Sequence, residues 1–409
     1  MKKLALISVV GLALSGCGGS GSDNNDSSST LPIAKPSAAI GSVESVDAKE
    51  STLTVNGYTY RVSKVVYGTT PLALAVVQPN MMVKVDENIQ KSEDGHAVVS
   101  LEPTITGRVT AIDYAKKAFT VNGVELQFDG LSNEIGLGDW VMVSSLPTAD
   151  AGYKVLSVVE IDVDHYPSIG DMYEIEGRIA SIDANQSTFK LGANITVSYH
   201  NVDQLKVGQW VEAEGKMEGD IFVASDVEIE GYDNLENDSD VEGIVTWVAN
   251  DYSEFSLNYR GAFFVDNATR FEDGSKMSLK QGQEVDVSSV LRNGKRIATV
   301  VEFEAPDFDD NHQWQGKGFE CEGYVSNYDA NARTFEIERC ENDADQRLNN
   351  KLVVIDAQTQ FQGIEELNLN GARVEVDGVI INNQNVAREI EREATTTKLG
   401  LPPLLNKAQ

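Results

Sequence analysis

Two cysteines in the last third of the chain could form a disulfide bond. Cys321 and Cys340 lie on either side of residues 329–332, whose sequence Asp-Ala-Asn-Ala predicts a turn between two strands. Residues equidistant from the turn of an antiparallel hairpin face each other, with Cβ atoms ~4.5–5.5 Å apart. We therefore predict a Cys321–Cys340 disulfide, which closes a loop of about 20 residues and stabilises the fold by ~3 kcal/mol. Metal-binding thiolates and free buried cysteines are the alternatives.

The third cysteine, Cys17, ends a segment that predicts lipid attachment. Lys2 and Lys3 precede an apolar run over 4–14, which is too short to span a bilayer, and residues 14–17 read Leu-Ser-Gly-Cys. Small residues before the cysteine fit a peptidase cleft, and the thiol is the nucleophile that would accept a diacylglycerol. The segment resembles the signals of bacterial lipoproteins. The alternative is an ordinary signal peptide with a chance cysteine.

Cleavage before Cys17 would divide the N-terminal region into a lipoprotein signal peptide, 1–16, and a lipidated flexible tether, 17–38. The tether is rich in Gly, Ser, Asn and Asp, a composition typical of flexible coil. The resemblance implies export and a membrane partner, and disulfides persist in exported proteins. Because Gly18 stands where an aspartate would favour the inner membrane, we expect the outer membrane, with the chain facing the periplasm or the cell surface.

An acidic linker, 305–318, contains the residues that come closest to a metal site. Asp307, Asp309 and Asn311 place oxygen atoms at alternate positions, as a calcium-binding loop does at its start. Such a loop then needs a glycine and a bidentate carboxylate at positions where this chain has histidine and glycine. Calcium at these three residues is therefore a hypothesis, with a plain solvated linker as its alternative. We expect no other cofactor.

The sequence contains no recognisable catalytic constellation. G-x-S-x-G elbows, HExxH motifs and phosphate-binding loops are missing from it, and the histidines are scattered, at His96, His165, His200 and His312. With 64 Asp and Glu residues, some carboxylates will reach the spacing of a glycosidase pair by chance. We therefore expect no enzyme. The alternative is a carbohydrate-active envelope hydrolase that uses paired carboxylates.

Charge and aromatic residues limit the ligands further. The formal net charge of -31 at pH 7 repels phosphate backbones, so we expect no nucleic-acid partner. Trp140 and Trp210 follow the same turn glycine in neighbouring units and could stack on sugar rings. We assign them to a core or to an interface, because large aromatic side chains dominate packing.

These candidate residues belong to a repeated unit. Five segments of similar sequence open at glycines that recur roughly every 70 residues, namely Gly41, Gly107, Gly177, Gly243 and Gly323. Each opening strand precedes a polar turn and a second short strand, and each unit ends on an alternating strand rich in acidic residues. We predict five copies, at 39–102, 103–164, 172–231, 240–304 and 319–393, followed by a tail at 394–409.

The strand pattern predicts an all-β fold. The third copy reads as about five short antiparallel strands in fewer than sixty residues, which suggests a small closed or nearly closed barrel similar to the oligonucleotide/oligosaccharide-binding (OB) fold. Closure removes the exposed strand edges of so small a sheet. We expect a tandem array of five such barrels in which neighbours pack in a row, with sandwich pairs as the alternative.

The copies also resemble a known family. The third copy shows the pattern best, with GRIASID at 177–183, TFKL at 188–191, LKVGQWVEAE at 205–214 and VEIE at 227–230. This pattern resembles the bacterial domain-of-unknown-function family 5666, which occurs in tandem in secreted lipoproteins. The resemblance is best over 176–230 and 104–162, weaker over 241–304, and loosest in the first and fifth copies. It implies a small β-domain and supplies no catalytic residue.

These observations favour a binding or scaffolding protein anchored by lipid in the cell envelope, with an envelope protein or glycan as a possible ligand. The hydrolase alternative makes a different prediction about the acidic residues. A hydrolase would concentrate an acidic pair in the cleft of one copy, whereas a binding array would spread a common acidic face over several copies.

Overall fold

The structure, a computed structural model, describes residues 35–87, 96–192, 194–232, 235–304, 318–342, 346–349 and 351–393. Cys17, the signal peptide, most of the tether, the tail and the calcium hypothesis at Asp307, Asp309 and Asn311 lie outside these residues. The described part of the chain is all-β, as predicted, with five one-turn 3₁₀ helices. None of its helices is long and apolar enough to cross a membrane.

Copy 1 forms a closed barrel. Its strands are β1 (Ala38–Asp47), β2 (Thr52–Val55), β3 (Tyr58–Tyr67), β4 (Thr70–Leu72), β5 (Met82–Asp86) and β6 (Ala97–Leu101), with a 3₁₀ helix at Leu74–Val76. The strands pair in the order β1-β2-β3-β6-β5, and β5 pairs back with β1 to close the barrel. The β3–β6 pair is parallel.

Copy 2 has the same strand order but an open side. Its strands are β7 (Ile105–Asp113), β8 (Ala118–Val121), β9 (Val124–Gln127), β10 (Trp140–Pro147) and β11 (Tyr153–Glu160). β7 pairs with both β8 and β10, and β10 pairs with β11. The third and fifth strands, β9 and β11, are not paired with each other, although all residues of this copy are described. The second barrel therefore remains open.

Copy 3 is a complete five-stranded barrel. A 3₁₀ helix at Ile169–Asp171 precedes β12 (Tyr173–Asp183), β13 (Thr188–Leu191) and β14 (Ile195–Ser198), and a 3₁₀ helix at Val202–Gln204 precedes β15 (Trp210–Glu218) and β16 (Ile221–Ile229). β14 and β16 pair in parallel, and β15 pairs back with β12. This closed order is that of an OB-type barrel.

Copy 4 repeats this order with one extra short strand. Its strands are β17 (Asp238–Val248), β18 (Glu254–Leu257), β19 (Gly261–Phe264), β20 (Arg270–Glu272), β21 (Glu284–Arg292) and β22 (Lys295–Phe303), with a 3₁₀ helix at Lys276–Ser278. β19 and β20 both pair with β22 in parallel, and β21 pairs back with β17.

Copy 5 is larger because it contains an inserted strand. Its opening strand is also interrupted. Its strands are β23 (Gly318–Tyr324), β24 (Ser326–Asp329), β25 (Thr334–Glu336), β26 (Arg339–Asn342), β27 (Leu352–Val354), β28 (Gln360–Gln362), β29 (Arg373–Ile381) and β30 (Gln384–Arg392), with a 3₁₀ helix at Glu366–Asn368. β27 and β28 pair with β30 in parallel, while β26 pairs with β23.

Small barrels were predicted, and the structure confirms them with one difference. In copies 1, 3 and 4 the third and last strands run parallel, and in copy 5 so do β27 and β30. We predicted only antiparallel neighbours. Alternation of apolar and polar residues marks a strand and its buried face, but it carries no information about strand direction. A parallel pair needs a long connection, which the segment containing the fourth strand provides in each copy.

The hairpin turns explain why copies 1, 2 and 4 open on a glycine, since a turn asparagine approaches the entry glycine in each of them. In copy 2 the turn residue Asn122 has a φ of 51° and Gly123 a φ of 77°, as a tight two-residue hairpin requires. The Asn122 amide folds back and donates to the carbonyl oxygen of Thr106 at 2.7 Å. A Cβ atom on Gly107 would lie only 2.4 Å from the Asn122 Oδ1 atom. The entry glycine is therefore required by the close approach of this amide.

The copies do not simply pack in a row. β1 of copy 1 pairs in parallel with β17 of copy 4, and β7 of copy 2 pairs with β12 of copy 3. Copy 1 shares a core with its chain neighbour, copy 2, as expected, but it also pairs with copy 4, so the array is not a simple row. Sequence periodicity defines each unit but does not reveal which outer faces complement each other.

Apolar side chains continue the cores across these junctions. Copies 2 and 3 share one core, which includes Ile105 and Val143 from copy 2 and Ile175 and Phe222 from copy 3. Copy 3 thus supplies apolar cover to the copy whose barrel is open. A separate cluster joins copies 2 to 5 and contains Ala151, Trp210, Trp247, Tyr259 and Val379.

Candidate functional site: a repeated row of carboxylates

Three copies carry acidic residues at the same three neighbouring positions of the sheet. We call each set of directly opposed residues a carboxylate row. The rows are Glu176–Glu212–Glu228 in copy 3, Glu242–Asp286–Glu302 in copy 4 and Glu322–Glu375–Glu391 in copy 5. Each row runs across the first, fourth and last strands of its barrel. Copies 1 and 2 have Ile40–Lys84–Ser100 and Thr106–Met142–Val159 at these positions.

Strand geometry directs the rows away from the barrel cores. Successive side chains of a strand alternate between faces, so Glu176 points outward because its neighbour Ile175 lies in the core. Like charges directly opposite each other on neighbouring strands are destabilising. Each row therefore needs protons, donors or cations that reduce this repulsion.

The row of copy 3 lies at a junction between copies. Glu174, two residues before Glu176, completes a group with Glu176 and Glu212 whose carboxylate oxygens lie within 4.8 Å of one another. Glu174 and Glu176 are only 4% and 2% exposed. Tyr67 of copy 1 donates to Glu174 at 2.6 Å. The phenol thus supports one carboxylate from a different copy.

Glu176 receives its partners from copies 3 and 4. The Trp210 indole N–H donates to Glu176 Oε2 at 2.9 Å, and the Arg260 guanidinium pairs with the same oxygen. Arg260 also lies 3.8 Å from Glu230 and 6.0 Å from the centre of the Trp210 ring. One arginine of copy 4 therefore forms ion pairs with two carboxylates of copy 3 and also lies over an aromatic ring.

The environment of this junction favours protonated carboxyl groups. Burial, together with the charges of Glu176 and Glu230, raises the pKa of Glu212 to about 8. Burial and the neighbouring Glu212 raise the pKa of Glu174 well above its usual value. Burial and Glu176 raise the pKa of Glu102, at the end of β6, to about 7. Several protons are therefore shared within this cluster near neutral pH.

The row of copy 4 is covered by copy 1. The Asn56 amide donates to Asp240 at 2.7 Å, and the Ser42 hydroxyl lies 3.2 Å from Glu242. Ser42 also donates its backbone N–H to Glu242. Burial raises the pKa of Glu242 to about 7, and burial together with the charges of Asp240 and Glu242 raises the pKa of Asp286 to about 10.

The row of copy 5 is more open and relies on arginines of its own copy. Arg339 donates to Glu322 at 2.6 Å, and Arg373 pairs with Glu322 and with Glu393. The Glu322 side chain is 36% exposed, compared with 3% for its equivalent Glu176. Burial and the Glu320 charge raise the pKa of Glu375. This row is a partly solvated acidic surface instead of a closed junction.

The chemistry available to these rows is proton sharing and cation coordination. Carboxylate oxygens are the ligands that Ca²⁺ prefers, and the Glu174, Glu176 and Glu212 oxygens lie close enough together to share one ion. Glu174 and Glu176 already accept hydrogen bonds from Tyr67 and Trp210. A bound ion would therefore compete with protons and with these two donors.

The other predicted residues have clear positions. Cys321 and Cys340 face each other across β23 and β26 and form the predicted disulfide. Trp140 and Trp210 are 1% and 3% exposed, and they lie in a core and at a junction, as predicted. His96, His165 and His200 take no part in the rows. His312 lies outside the described residues.

Sequence reasoning missed the rows, although the signal was present. Glu176, Glu242 and Glu322 all immediately precede an entry glycine, and Glu212, Asp286 and Glu375 all follow a turn glycine by four positions. A comparison of acidic positions between copies, instead of apolar ones, would have found them.

Comparison with known proteins agrees with the repeat. The family model described as "Domain of unknown function (DUF5666)" matches residues 176–228, 242–302 and 322–391. The three segments begin on the first carboxylate of each row, and the copies without a row lie outside them. The match includes the fifth copy, where the resemblance was expected to be loose. It does not include residues 104–162, where the resemblance was expected to be among the best.

Other comparisons add little. The sequence matches no curated protein. A solved Drosophila structure described as Unr CSD456 aligns with 72% of this chain and 99% of its own chain, at 11% sequence identity and a TM-score of 0.15. A TM-score this low supports no conclusion about fold or function. The similarity therefore rests on the three matched segments, and the chain carries tandem repeats that match the DUF5666 family of domains of unknown function.

Proposed function

We propose that this chain is a lipid-anchored cell-envelope protein of the binding or scaffolding type, with copy 5 presenting an acidic surface to an envelope protein or glycan. The observation that carries the proposal is the recurrence of the carboxylate row in copies 3, 4 and 5. A binding array spreads one acidic face over several copies, whereas a hydrolase concentrates its acidic pair in one cleft.

The environment of the tightest carboxylate group also supports binding over hydrolysis. Glu174 and Glu176 are almost fully buried and accept hydrogen bonds from Tyr67 and Trp210. A glycosidase needs its two carboxyl groups on opposite sides of an accessible sugar bond. Carboxyl groups enclosed between copies cannot flank such a bond, so we assign this group to the joining of the copies.

The more exposed row of copy 5 is the surface that we assign to a partner. In copy 4 the equivalent row meets hydrogen-bond donors of copy 1, namely the backbone N–H and the hydroxyl of Ser42. Among the residues that the structure describes, Arg339 and Arg373 of the same copy are the groups that pair with Glu322 in copy 5. The partner chemistry that fits is a surface rich in hydrogen-bond donors or cationic groups, which suits a basic protein face or a polyhydroxylated glycan.

Affinity capture tests this proposal. The full chain, lipidated and purified in detergent, is immobilised and exposed to solubilised envelope, beside an unrelated lipoprotein as background. The matched control carries Glu320→Gln, Glu322→Gln and Glu375→Gln. We expect a protein or glycan that the unaltered chain retains and the triple variant loses. Recovery of nothing above the lipoprotein background, or equal recovery by both chains, would contradict the proposal.

The anchor and the calcium hypothesis have their own tests. Incorporation of labelled palmitate into the unaltered chain, and its loss in Cys17→Ser, is the expected outcome for lipidation. Calcium at Asp307, Asp309 and Asn311 remains a prediction. A thermal melt in millimolar calcium should lie above one in chelator, and Asp307→Asn with Asp309→Asn should remove that difference. Coincident melts of the unaltered chain would rule the calcium hypothesis out.

A further inference from the structure

In copies 1 to 4, the first half of the opening strand pairs with the opening strand of another copy. In copy 1, Ala38, Ala39 and Ile40 pair with Ser239, Asp240 and Val241 of copy 4. In copy 2, Ile105 and Thr106 pair with Ile175 and Glu174 of copy 3. The second half of each opening strand pairs instead with the second strand of its own barrel. The free edge of the first half therefore joins one copy to another.

In the described part of the chain, this edge of copy 5 is paired with a strand of its own copy and not with another copy. Phe319, Glu320, Cys321 and Glu322 of β23 pair with β26, which belongs to the same copy. β26 comes from an insertion between β25 and β27, which end at Glu336 and begin at Leu352. In copy 3 the equivalent connection runs only from Leu191 to Ile195. The insertion thus places an additional strand where the other copies place a neighbour.

The disulfide fixes this additional strand in place. Cys321 and Cys340 are directly opposed in the β23–β26 ladder, and both are 1% exposed within the core of copy 5. Arg339 of β26 pairs with Glu322, directly across the ladder. β26 therefore supplies backbone hydrogen bonds, a covalent link and a positive charge to the edge of β23.

We propose that the β23 edge at residues 319–322 is a strand-pairing surface for a second copy of this chain, and that β26 is the built-in strand that keeps it covered. An uncovered edge presents a row of unpaired N–H and C=O groups, which template pairing with another strand. The partner is the same edge of a second molecule, because two identical antiparallel edges form a self-complementary two-fold contact. The antiparallel pairing between copies 2 and 3 provides the geometry.

Charge determines when this contact forms. Glu320 and Glu322 of the two chains would approach each other, and removal of β26 also removes Arg339. Like charges opposite each other weaken strand pairing. Pairing through the uncovered edge should therefore be stronger at high salt than at low salt.

The experiment removes β26 and measures self-association. Residues 339–349 are replaced by Gly-Ala-Asn, the connection that copy 3 uses at 192–194, in a full chain that carries Cys17→Ser so that no lipid is attached. Sedimentation velocity is recorded over a wide range of protein concentration at low salt and at high salt. We expect the unaltered chain to sediment with one mass throughout. The shortened chain should reach twice that mass as concentration rises, and should do so at lower concentration in high salt.

A second readout locates the contact. Amide hydrogen exchange at 319–322 should be slow in the unaltered chain, fast in the dilute shortened chain, and slow again in its concentrated dimer. The shortened chain also keeps Cys321 without its partner, so oxidation should trap the dimer through a bond between two Cys321 residues. A Cys321→Ser version should still dimerise without forming that bond.

A chain with Cys321→Ser and Cys340→Ser keeps β26 but lacks the disulfide that holds it. This variant provides a second test in case the shortened chain does not fold. We expect faster exchange at 319–322 and a smaller, concentration-dependent dimer fraction. A folded shortened chain that keeps the unaltered mass at every protein and salt concentration would overturn the proposal, as would a dimer in which residues 319–322 stay unprotected. If the shortened chain does not fold, a double-serine chain with unchanged mass and exchange would overturn it.

Discussion

Copies 3 and 5 place the same carboxylates on the same strands but surround them differently. In copy 3, Glu176 lies at a junction, where Trp210 and Arg260 serve it and only 3% of its side chain is exposed. In copy 5, the equivalent Glu322 is 36% exposed and meets Arg339 and Arg373 of its own copy. The chemical behaviour of a row is therefore decided by the surface that covers it and not by the repeat.

This difference separates two uses of one motif. A buried carboxylate in contact with others favours its protonated form, which donates a hydrogen bond and avoids repulsion. An exposed carboxylate keeps its charge and pairs weakly with a solvated arginine. The same sequence position thus helps to join copies in the interior and to present charge at the surface.

The largest loss of stability is expected when the buried ion pairs between copies 3 and 5 are disrupted. Asp356 of copy 5 bonds to Arg178 of copy 3 at 2.6 Å and to Arg388 at 3.0 Å, and all three side chains are almost fully buried. Asp356→Asn leaves two buried guanidiniums without a countercharge, which should lower the free energy of unfolding by ~3–5 kcal/mol. Urea denaturation measures this loss.

Glu366→Gln is the matched control, because it breaks a half-exposed pair with Arg333 in the same copy. We expect a loss of at most ~1 kcal/mol there. Equal losses in Asp356→Asn and Glu366→Gln would refute the importance of burial for these ion pairs.

A smaller effect should separate the two arginines of the rows. Arg260→Met leaves the enclosed Glu176 without a positive partner and should lower the free energy of unfolding by ~2–3 kcal/mol. Arg373→Met acts on the more exposed Glu322, so its effect should be clearly smaller than that of Arg260→Met. Thermal melts of both variants test the ranking, and a larger loss for Arg373→Met would reverse the comparison.

The last comparison concerns pH dependence, to which the junction of copy 3 should contribute more than the row of copy 5. The pKa of Glu212 is about 8 in the folded chain, whereas an unfolded glutamate titrates near ~4.3. Between these values the folded state binds more protons than the unfolded state, so the free energy of unfolding falls as pH rises from ~4.3 to about 8. Melting temperature should therefore fall over this window.

Glu212→Gln should flatten that slope, because it removes a carboxyl group that holds a proton in the folded chain and loses it on unfolding. Glu375→Gln, at the equivalent position in copy 5, is the control and should change the slope less. Parallel pH profiles for Glu212→Gln and the unaltered chain would show that the junction does not titrate in this window.

Local signals predicted much of this fold. Alternating residues marked the strands, polar turns between short strands marked the hairpins, and the symmetric placement of Cys321 and Cys340 about one turn predicted their bond. These features depend on residues close together in sequence. They are for this reason readable without knowledge of the remaining chain.

The junctions could not be predicted in the same way. Alternation shows that Glu176 points outward, but only the arrangement of the copies shows that Arg260 covers it. The pairing of β1 with β17 depends on complementary outer faces, which leave no periodic signal. The open side of copy 2 likewise follows from its contact with copy 3 and not from any missing strand.

The pairing of copy 1 with copy 4 has a consequence for the order of folding. Ser42 and Glu242 are hydrogen-bonded although 200 residues separate them. Contacts between distant residues form slowly, because the intervening chain must first lose conformational freedom. Copies 2 and 3 share one core and can complete it from nearby segments, whereas the pairing of β1 with β17 must wait until copy 4 is formed. The contact between copies 1 and 4 is therefore expected to be among the last parts of the fold to form.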